Sequence, residues 1–174
     1  LEIICPKTKK IKNKISSKKI LISVGGKPKK LNIPGADLAW TSDDIFELEN
    51  FPKSILIVGG GYIACEFASI FRNLGTKVIQ LIRGKHLLNG FDDDLASCLE
   101  ESPTFAEINI ISNTQLKSIK RVNGNLESTL DSGDKLLTNN ILIATGREPN
   151  LLPLNLDFLN LKMDGQYLDV DELN

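Results

Sequence analysis

A chain of 174 residues with 41% hydrophobic and 25% charged residues has an ordinary globular composition and can bury a sizeable core. It contains no run of about 18 apolar residues, which excludes a membrane-spanning helix and predicts no membrane partner. The formal net charge is only −1, but the charge is uneven, because residues 1–30 hold ten lysines against Glu2 alone.

The lysine-rich start predicts a solvated hairpin. Its lysines between Lys7 and Lys19 alternate with Ile11 and Ile15 and have no aromatic partners. A nucleic-acid-binding arm needs a reason to cluster its charge on one face, and this pattern supplies none. We therefore predict no nucleic-acid partner.

Three short elements are predicted between this hairpin and the centre of the chain. Residues 19–26 read as an apolar strand that ends in glycines, and residues 27–35 as an extended, proline-containing linker. A short helix follows, capped by Thr41 or Ser42, with acidic residues in its first turn. Pro52 ends that segment.

The most informative stretch begins with the apolar run Ser54–Val58, which is short, β-branched and uninterrupted, as in a buried parallel strand. Gly59, Gly61 and Ala64 then stand at the G-x-G-x-x-A spacing. In this motif the first glycine makes the tight turn and the second lets the backbone approach a pyrophosphate. The alanine keeps the following helix close to the strand.

The helix after the turn completes a dinucleotide-binding unit. Gly75 is placed to end it, and residues 77–82 read as a second strand. Free N–H groups at a helix N-terminus bind phosphates, so the whole unit predicts dinucleotide binding, the alternative being a glycine turn that only packs. The apolar residues predicted to share the inward face of the helix are Ile63, Phe67, Ile70, Phe71 and Leu74.

The remaining elements continue an α/β pattern. A polar loop at residues 83–86 leads to a helix that starts near Asp92, is stopped by Pro103, and is followed by a strand over residues 107–112. Residues 115–138, broken by turn signals, predict a small antiparallel meander. The residues predicted to face inward from this helix are Leu95, Cys98 and Leu99.

A buried strand that ends in a glycine turn is predicted over residues 141–147. The fold class is therefore α/β, a Rossmann-type parallel sheet with crossover helices and a small antiparallel β-meander. Cys5, Cys65 and Cys98 form no close pair, which favours a reducing, cytoplasmic location without a metal site. Cys65 and Cys98 are expected to be small buried residues.

The end of the second strand indicates which dinucleotide is bound. NAD-specific sites place an acidic residue there, to bind the ribose hydroxyls, whereas this chain has Ile82 followed by Arg83. A guanidinium suits a 2′-phosphate, because it donates bidentate, charge-assisted hydrogen bonds. Arg83 therefore predicts NADPH rather than NADH, the alternative being a solvated loop arginine.

With these elements placed, the chain resembles the central pyridine-nucleotide domain of the flavoprotein disulfide reductases, and most closely the glutathione reductase branch of bacteria and plastids. The first residue is Leu1 and the only methionine is Met163, so we expect a piece of a longer polypeptide. The motifs that carry the resemblance are residues 20–26, 41–46, 59–66, 90–92 and 144–150.

The resemblance implies a domain division and a reaction. Residues 26–149 would form the NAD(P)H-binding domain, with residues 1–25 and 150–174 as remnants of an FAD-binding domain. The parent would pass a hydride from NADPH to FAD and reduce glutathione disulfide. The family's C-x-x-x-x-C pair, catalytic His-Pro and dimerisation domain belong outside these residues, so we expect no catalytic residue here and a homodimeric parent.

Two alternatives to this reading stay open. The parent could be another member of the family, such as dihydrolipoamide dehydrogenase or mercuric reductase, although the Ile82-Arg83 ending disfavours the NAD-using one. The chain could also be a non-catalytic nucleotide-binding module.

The resemblance also assigns cofactor-binding roles. Tyr62 and Ile63 lie in the G-x-G-x-x-A motif of residues 59–64, the dinucleotide fingerprint. Tyr62 would be an aromatic lid over the flavin, or else a tyrosine in simple surface packing. Glu66 would reach the flavin–nicotinamide contact, or else only complement the helix dipole. Gly146 would let the backbone approach the nicotinamide, and Arg147 would contact the flavin unless it is a surface arginine.

Two further implications concern the edges of the site. Ser42 and Gly25 would touch FAD. A second arginine is expected six positions after Arg83, where this chain has Asn89. An amide contributes no charge toward a phosphate, so Asn89 weakens the preference for NADPH unless Lys85 or His86 compensates.

Overall fold

The computed structural model describes residues 1–151, 154, 156, 161–170 and 172. The helices are α1 (Ser42–Ile45), α2 (Tyr62–Asn73), α3 (Asp93–Glu100) and α4 (Pro103–Ala106), and a 3-10 turn lies at Ala36–Leu38. The strands are β1 (Glu2–Ile4), β2 (Ile11–Lys14), β3 (Gly26–Pro28), β4 (Ser54–Val58), β5 (Lys77–Leu81), β6 (Asn109–Ile111), β7 (Leu116–Val122), β8 (Asn125–Leu130), β9 (Lys135–Thr138), β10 (Asn140–Ile143), β11 (Arg147–Pro149), β12 (Met163–Asp164) and β13 (Tyr167–Leu168).

A four-stranded parallel sheet in the order β10-β4-β5-β6 forms the centre of the fold. Helix α2 connects β4 to β5, and α3 and α4 lie in the connection from β5 to β6. This arrangement confirms the predicted α/β fold with a parallel sheet and crossover helices. None of the helices in the described ranges is long and apolar enough to cross a membrane.

Both faces of the central sheet are buried, which explains the uninterrupted apolar run in β4. Ile55 and Ile57 face one side and pack in a cluster with Phe71 of α2. Leu56 faces the other side and packs in a cluster with Leu126 of β8. Each fully buried side chain of this kind contributes about 1.5–3 kcal/mol, so the two clusters fix the position of the strand.

The antiparallel meander β7-β8-β9 is confirmed. Its first turn has Asn123 and Gly124 at φ of 49° and 81°, the left-handed pair that a tight hairpin turn requires. Leu126, Ser128 and Leu130 alternate inward along β8, so the meander covers one face of the central sheet.

The predicted inward faces of two helices are partly wrong. Ile70 of α2 and its C-cap Leu74 are exposed. In α3, Leu95 and Cys98 are exposed, whereas Leu99 is half-buried. Helical spacing identifies an amphipathic helix, but the centre of its buried stripe depends on the surface that it contacts. The residues that are buried are Ala64, Cys65, Phe67, Ala68 and Phe71 in α2 and Ala96 in α3.

The strand predicted over residues 19–26 is also wrong, since residues 19–25 form no strand and Leu21 is 89% exposed. A strand needs a neighbour, and among the described residues no other strand pairs with this segment. The next strand after β2 that pairs is β3, which is antiparallel to β11. Part of the predicted linker at residues 27–35 is therefore a strand. The predicted remnant of an FAD-binding domain over residues 150–174 lies partly outside the described residues.

The lysine-rich start forms the predicted hairpin, with β1 antiparallel to β2 and every strand residue exposed.

We expect amides of residues 9–19 to exchange rapidly with solvent. Almost no apolar burial offsets the backbone entropy of about 1–2 kcal/mol per ordered residue. The exposed Lys14–Glu2 ion pair adds little. Hydrogen exchange of the intact chain, with β4 as the protected reference, measures this, and strong protection across residues 9–19 contradicts it.

Candidate dinucleotide-binding cleft

A cleft of about 540 Å³ opens at the carboxyl ends of β4, β5 and β10, where Val58, Leu81 and Ile143 line it. In open parallel sheets, ligands bind outside the carboxyl ends of the strands. The position of this cleft therefore makes it the candidate binding site.

The two motif glycines of the fingerprint turn, Gly59 and Gly61, are glycine for different structural reasons. Gly59 has φ of +140°, and a Cβ there would lie 2.3 Å from the carbonyl oxygen of Ala144, so only glycine fits. Gly61 has φ of −78°, and a Cβ there would meet no atom within 4 Å. The fold itself requires Gly59, whereas the absent side chain of Gly61 leaves room in the cleft. Ala64 is fully buried beneath the turn, which suits close packing of α2 on the sheet.

The turn presents backbone N–H groups without acceptors. Among the described residues, no hydrogen-bond acceptor lies opposite the N–H groups of Gly60, Gly61, Tyr62 and Ile63. No acidic side chain occupies the first turn of α2, and Gly61 as N-cap has no side chain to cap it. Unpaired N–H groups at the positive end of a helix dipole form an anion-binding site.

The loop after β5 is anchored to the fingerprint turn. The backbone N–H of Leu88 donates to the carbonyl of Gly60 at 2.7 Å, and Leu87 is buried. Arg83 and Asn89 in this loop line the cleft and are exposed. No described carboxylate lies within ion-pair distance of Arg83, so its guanidinium is available to an anion in the cleft.

His86 also lines the cleft, but its Nδ1 lies 3.4 Å from a carboxylate oxygen of Glu100. The other oxygen of Glu100 accepts a hydrogen bond from the backbone N–H of Leu87 at 2.8 Å. Lys85 is exposed and does not line the cleft. Of the two candidates for the missing second charge, His86 has the better position.

Gly146 and Arg147 also line the cleft, and they follow β10, which lies on the opposite side of β4 from β5 and Arg83. Gly146 has φ of +133°, and a Cβ there would meet no atom, so this backbone is open to a ligand. Arg147 donates to the carbonyl of Gly26, and its guanidinium lies 3.8 Å from Asp43. Arg147 is exposed, and these contacts link it to β3 and to α1.

Helix α1 positions Ser42 at the cleft through a capping box. Thr41 is the N-cap, so the predicted cap is confirmed at Thr41 rather than Ser42. The backbone N–H and the hydroxyl of Thr41 donate to Asp44 at 2.6 and 2.8 Å, and these bonds lower the pKa of Asp44. The helix is thereby held in place, with Ser42 buried.

The structure brings together most of the sequence-predicted site residues but not all. Gly25 does not line the cleft, and its carbonyl accepts from the N–H of Asn150 instead. Glu66 is exposed on α2 and also lies outside the lining, whereas Tyr62 is half-exposed at its edge. The predicted residues that line the cleft are Ser42, Gly59, Gly61, Tyr62, Ile63, Arg83, Asn89, Gly146 and Arg147.

Gln80 is not among the residues predicted from the sequence, and it is completely buried in β5 beneath the fingerprint turn. Its Nε2 donates to the carbonyl of Gly59 at 3.0 Å and lies 3.7 Å from the thiol of Cys65. Burial raises the pKa of the Cys65 thiol, which therefore remains protonated at neutral pH. The available signal was a single amide inside an otherwise apolar strand, Val78-Ile79-Gln80-Leu81.

The parallel sheet, the glycine turn and the cleft at the strand ends define a Rossmann-type α/β protein. A family model described as "Pyridine nucleotide-disulphide oxidoreductase" matches residues 2–174. The chain belongs to this family, which confirms the resemblance to flavoprotein disulfide reductases.

Curated relatives and solved structures agree with this membership. The chain is 40% identical to glutathione reductase of Burkholderia cepacia over 150 residues, covering 86% of this chain and 33% of the relative. It is 38% identical to the chloroplastic/mitochondrial glutathione reductase of Pisum sativum, covering 90% and 29% of the two chains. It is 32% identical to mercuric reductase of Staphylococcus aureus, covering 85% and 28%.

Among solved structures, the Cu(II) complex of the HOCl-induced flavoprotein disulfide reductase RclA from Escherichia coli superposes with a TM-score of 0.77 and 27% identity. The match covers 84% of this chain and 34% of that one. The chain thus spans about a third of the length of the proteins that it matches.

Proposed function

We propose that this chain is the NADPH-binding part of a flavin-dependent disulfide reductase whose substrate is glutathione disulfide. The observation that carries the proposal is that one cleft is lined both by the glycine turn, with its unpaired N–H groups, and by the exposed guanidinium of Arg83. NADPH carries anions at two corresponding places, the pyrophosphate and the 2′-phosphate. The 40% identity to a glutathione reductase supports the choice of substrate.

The residues present fit a pyridine nucleotide. The open space beside Gly61 leaves room for a pyrophosphate above the turn, and the apolar Ile82 leaves no carboxylate to repel a 2′-phosphate next to Arg83. On the other side of β4, the open backbone at Gly146 suits the nicotinamide half. Tyr62 at the edge of the cleft would cover that half.

FAD and NADPH are the cofactors that members of this family use. We propose that residues 26–149 form the NAD(P)H-binding domain, while residues 1–25 and 150–174 belong to an FAD-binding domain. The pairing of β3 with β11 supports these boundaries, because it brings the two proposed crossing points of the chain side by side. Ser42, Gly25, Glu66 and Arg147 would then contribute to the flavin side.

When bound, the cofactors would supply the chemistry, a hydride transfer from NADPH to the flavin. The residues of this chain bind and orient the nucleotide: the turn holds the pyrophosphate, and Arg83 selects the 2′-phosphate. We propose a reducing, cytoplasmic location, because the three cysteines form no close pair in the sequence.

We expect the purified chain to bind NADPH but not to reduce glutathione disulfide. The cleft is intact, whereas the sequence has no C-x-x-x-x-C pair to receive electrons from a flavin. Calorimetry with NADPH, and an NADPH-oxidation assay with glutathione disulfide and added FAD, measure the two properties. Absence of NADPH binding contradicts the proposed function, and turnover above background contradicts the assignment of the redox centre to other residues.

The sequence of the parent polypeptide distinguishes this proposal from the alternative, a non-catalytic nucleotide-binding module. A C-x-x-x-x-C pair upstream of Leu1 in the parent supports the reductase, and a parent without any redox-active cysteine pair contradicts it.

A further inference from the structure

The buried amide of Gln80 is unusual in its surroundings. It lies on the face of β5 that packs under α2, between Val78 and Ile82, and it is completely buried. Its Oε1 has no hydrogen-bond partner among the described residues. A buried polar atom without a partner destabilises the folded state, and an apolar side chain of similar size would avoid that cost.

The amide nitrogen of Gln80 makes one close contact with the functional site. Nε2 donates to the carbonyl oxygen of Gly59 at 3.0 Å, and this oxygen belongs to the first peptide of the fingerprint turn. Exchanging the amide's oxygen and nitrogen would place two acceptors face to face. The donor therefore has to point at Gly59.

This hydrogen bond sets the orientation of a peptide group. The described peptide bonds are all trans, so the carbonyl of Gly59 and the N–H of Gly60 point in opposite directions. With the carbonyl held toward the core by Gln80, the N–H of Gly60 is directed away from the core, and it has no acceptor among the described residues. Gly59 and Gly60 both line the cleft.

Glycines are conformationally free, so the Gly59-Gly60-Gly61 turn needs outside contacts to hold one conformation. The next peptide is held by the hydrogen bond from Leu88 N–H to the Gly60 carbonyl. Gln80 supplies the corresponding contact for the first peptide.

We propose that Gln80 is a positioning residue for the pyrophosphate, which it serves by fixing the Gly59–Gly60 peptide with its N–H directed away from the core. This inference rests on the proposed function, because it takes a dinucleotide as the ligand. It assigns the buried amide a role in binding rather than in stability.

The test compares two ligands in the full 174-residue chain. NADPH uses both the glycine turn and the loop after β5, whereas 2′-AMP has the adenosine and the 2′-phosphate but no pyrophosphate. For Gln80→Leu we expect the Kd for NADPH to rise about three- to tenfold, which corresponds to the loss of one hydrogen bond. The Kd for 2′-AMP, followed by NMR titration, should change by less than about twofold. The melting temperature should change little, because the variant removes the partnerless Oε1 but leaves the Gly59 carbonyl without its donor.

Val78→Ala is the matched control, since Val78 is buried on the same face of β5 two residues earlier. It should lower the melting temperature while leaving NADPH affinity unchanged in the folded protein. Gln80→Met, which is unbranched like glutamine but has no donor, repeats the test if the leucine variant does not fold.

Unchanged NADPH affinity in the Gln80 variants overturns the inference, and so does an equal loss for both ligands or a failure of both variants to fold. If the unmodified chain does not bind NADPH, the proposed function has failed instead, and the two failures are distinguishable. A selective loss for NADPH supports the positioning role.

Discussion

Replacing Arg83 with alanine is expected to weaken NADPH binding by roughly 10- to 100-fold and to leave NADH binding nearly unchanged. The reason is that a charge-assisted hydrogen bond contributes about 1.5–3 kcal/mol, and only NADPH carries the 2′-phosphate that receives it. Arg83 is exposed at the cleft, so the substitution should not disturb the fold. Calorimetric titration of both nucleotides measures the effect.

The matched control is Lys85→Ala, which removes one positive charge from the same loop at a position that does not line the cleft. It should change NADPH affinity by less than about threefold at physiological ionic strength, because an exposed charge beyond direct contact is screened. Equal losses for NADPH and NADH in Arg83→Ala would show that Arg83 is a solvated loop residue without a role in nucleotide selection.

The elements around the fingerprint were predictable because each carries its own local signal. The buried run of β4, the glycine spacing and Gly75, which follows the C-cap Leu74 with φ of 87°, depend on neighbouring residues in the sequence. The left-handed pair Asn123 and Gly124 likewise marks the hairpin of the meander. Sequence periodicity is sufficient wherever the structure is decided over a few adjacent residues.

The errors occurred where the structure depends on a partner distant in sequence. Residues 19–25 are apolar enough for a strand, but a strand forms only beside another strand. Ile70 is apolar at a helical position, yet the buried side of α2 is formed by other residues, among them Ala64, Ala68 and Phe71. Helical spacing shows that a stripe exists but not where its centre lies.

The candidate site was predicted unevenly for the same reason. The position of Arg83 in the cleft could be predicted, because it directly follows the second strand and its location relative to the turn is thereby fixed. Gln80 could not be assigned, because its contact with Gly59 crosses 21 residues of sequence and depends on the register of β4 with β5. His86 was recognised as a candidate, but its pairing with Glu100 appears only in three dimensions.

Two alanine substitutions in the glycine turn are expected to have opposite effects. Gly59→Ala should destabilise the folded chain by about 3 kcal/mol or more, because its Cβ would collide with the carbonyl oxygen of Ala144 at an unfavourable φ. Gly61→Ala should change the free energy of unfolding by no more than about 1 kcal/mol, because its φ suits alanine and its Cβ meets open space. Urea denaturation of the two variants measures both values.

In the folded proteins, nucleotide binding should be weakened more by Gly61→Ala, although this variant is the less destabilised of the two. The methyl group of Gly61→Ala would occupy the space proposed for the pyrophosphate, so we expect NADPH and NADH to lose at least about tenfold in affinity together, since each carries that group. The affinity for 2′-AMP, which lacks the pyrophosphate, should be retained in this variant. A Gly61→Ala chain that is stable and binds NADPH as tightly as before would mean that the space beside Gly61 is not where the pyrophosphate lies, whereas stability lost at Gly61 rather than at Gly59 would contradict the separate roles of the two glycines.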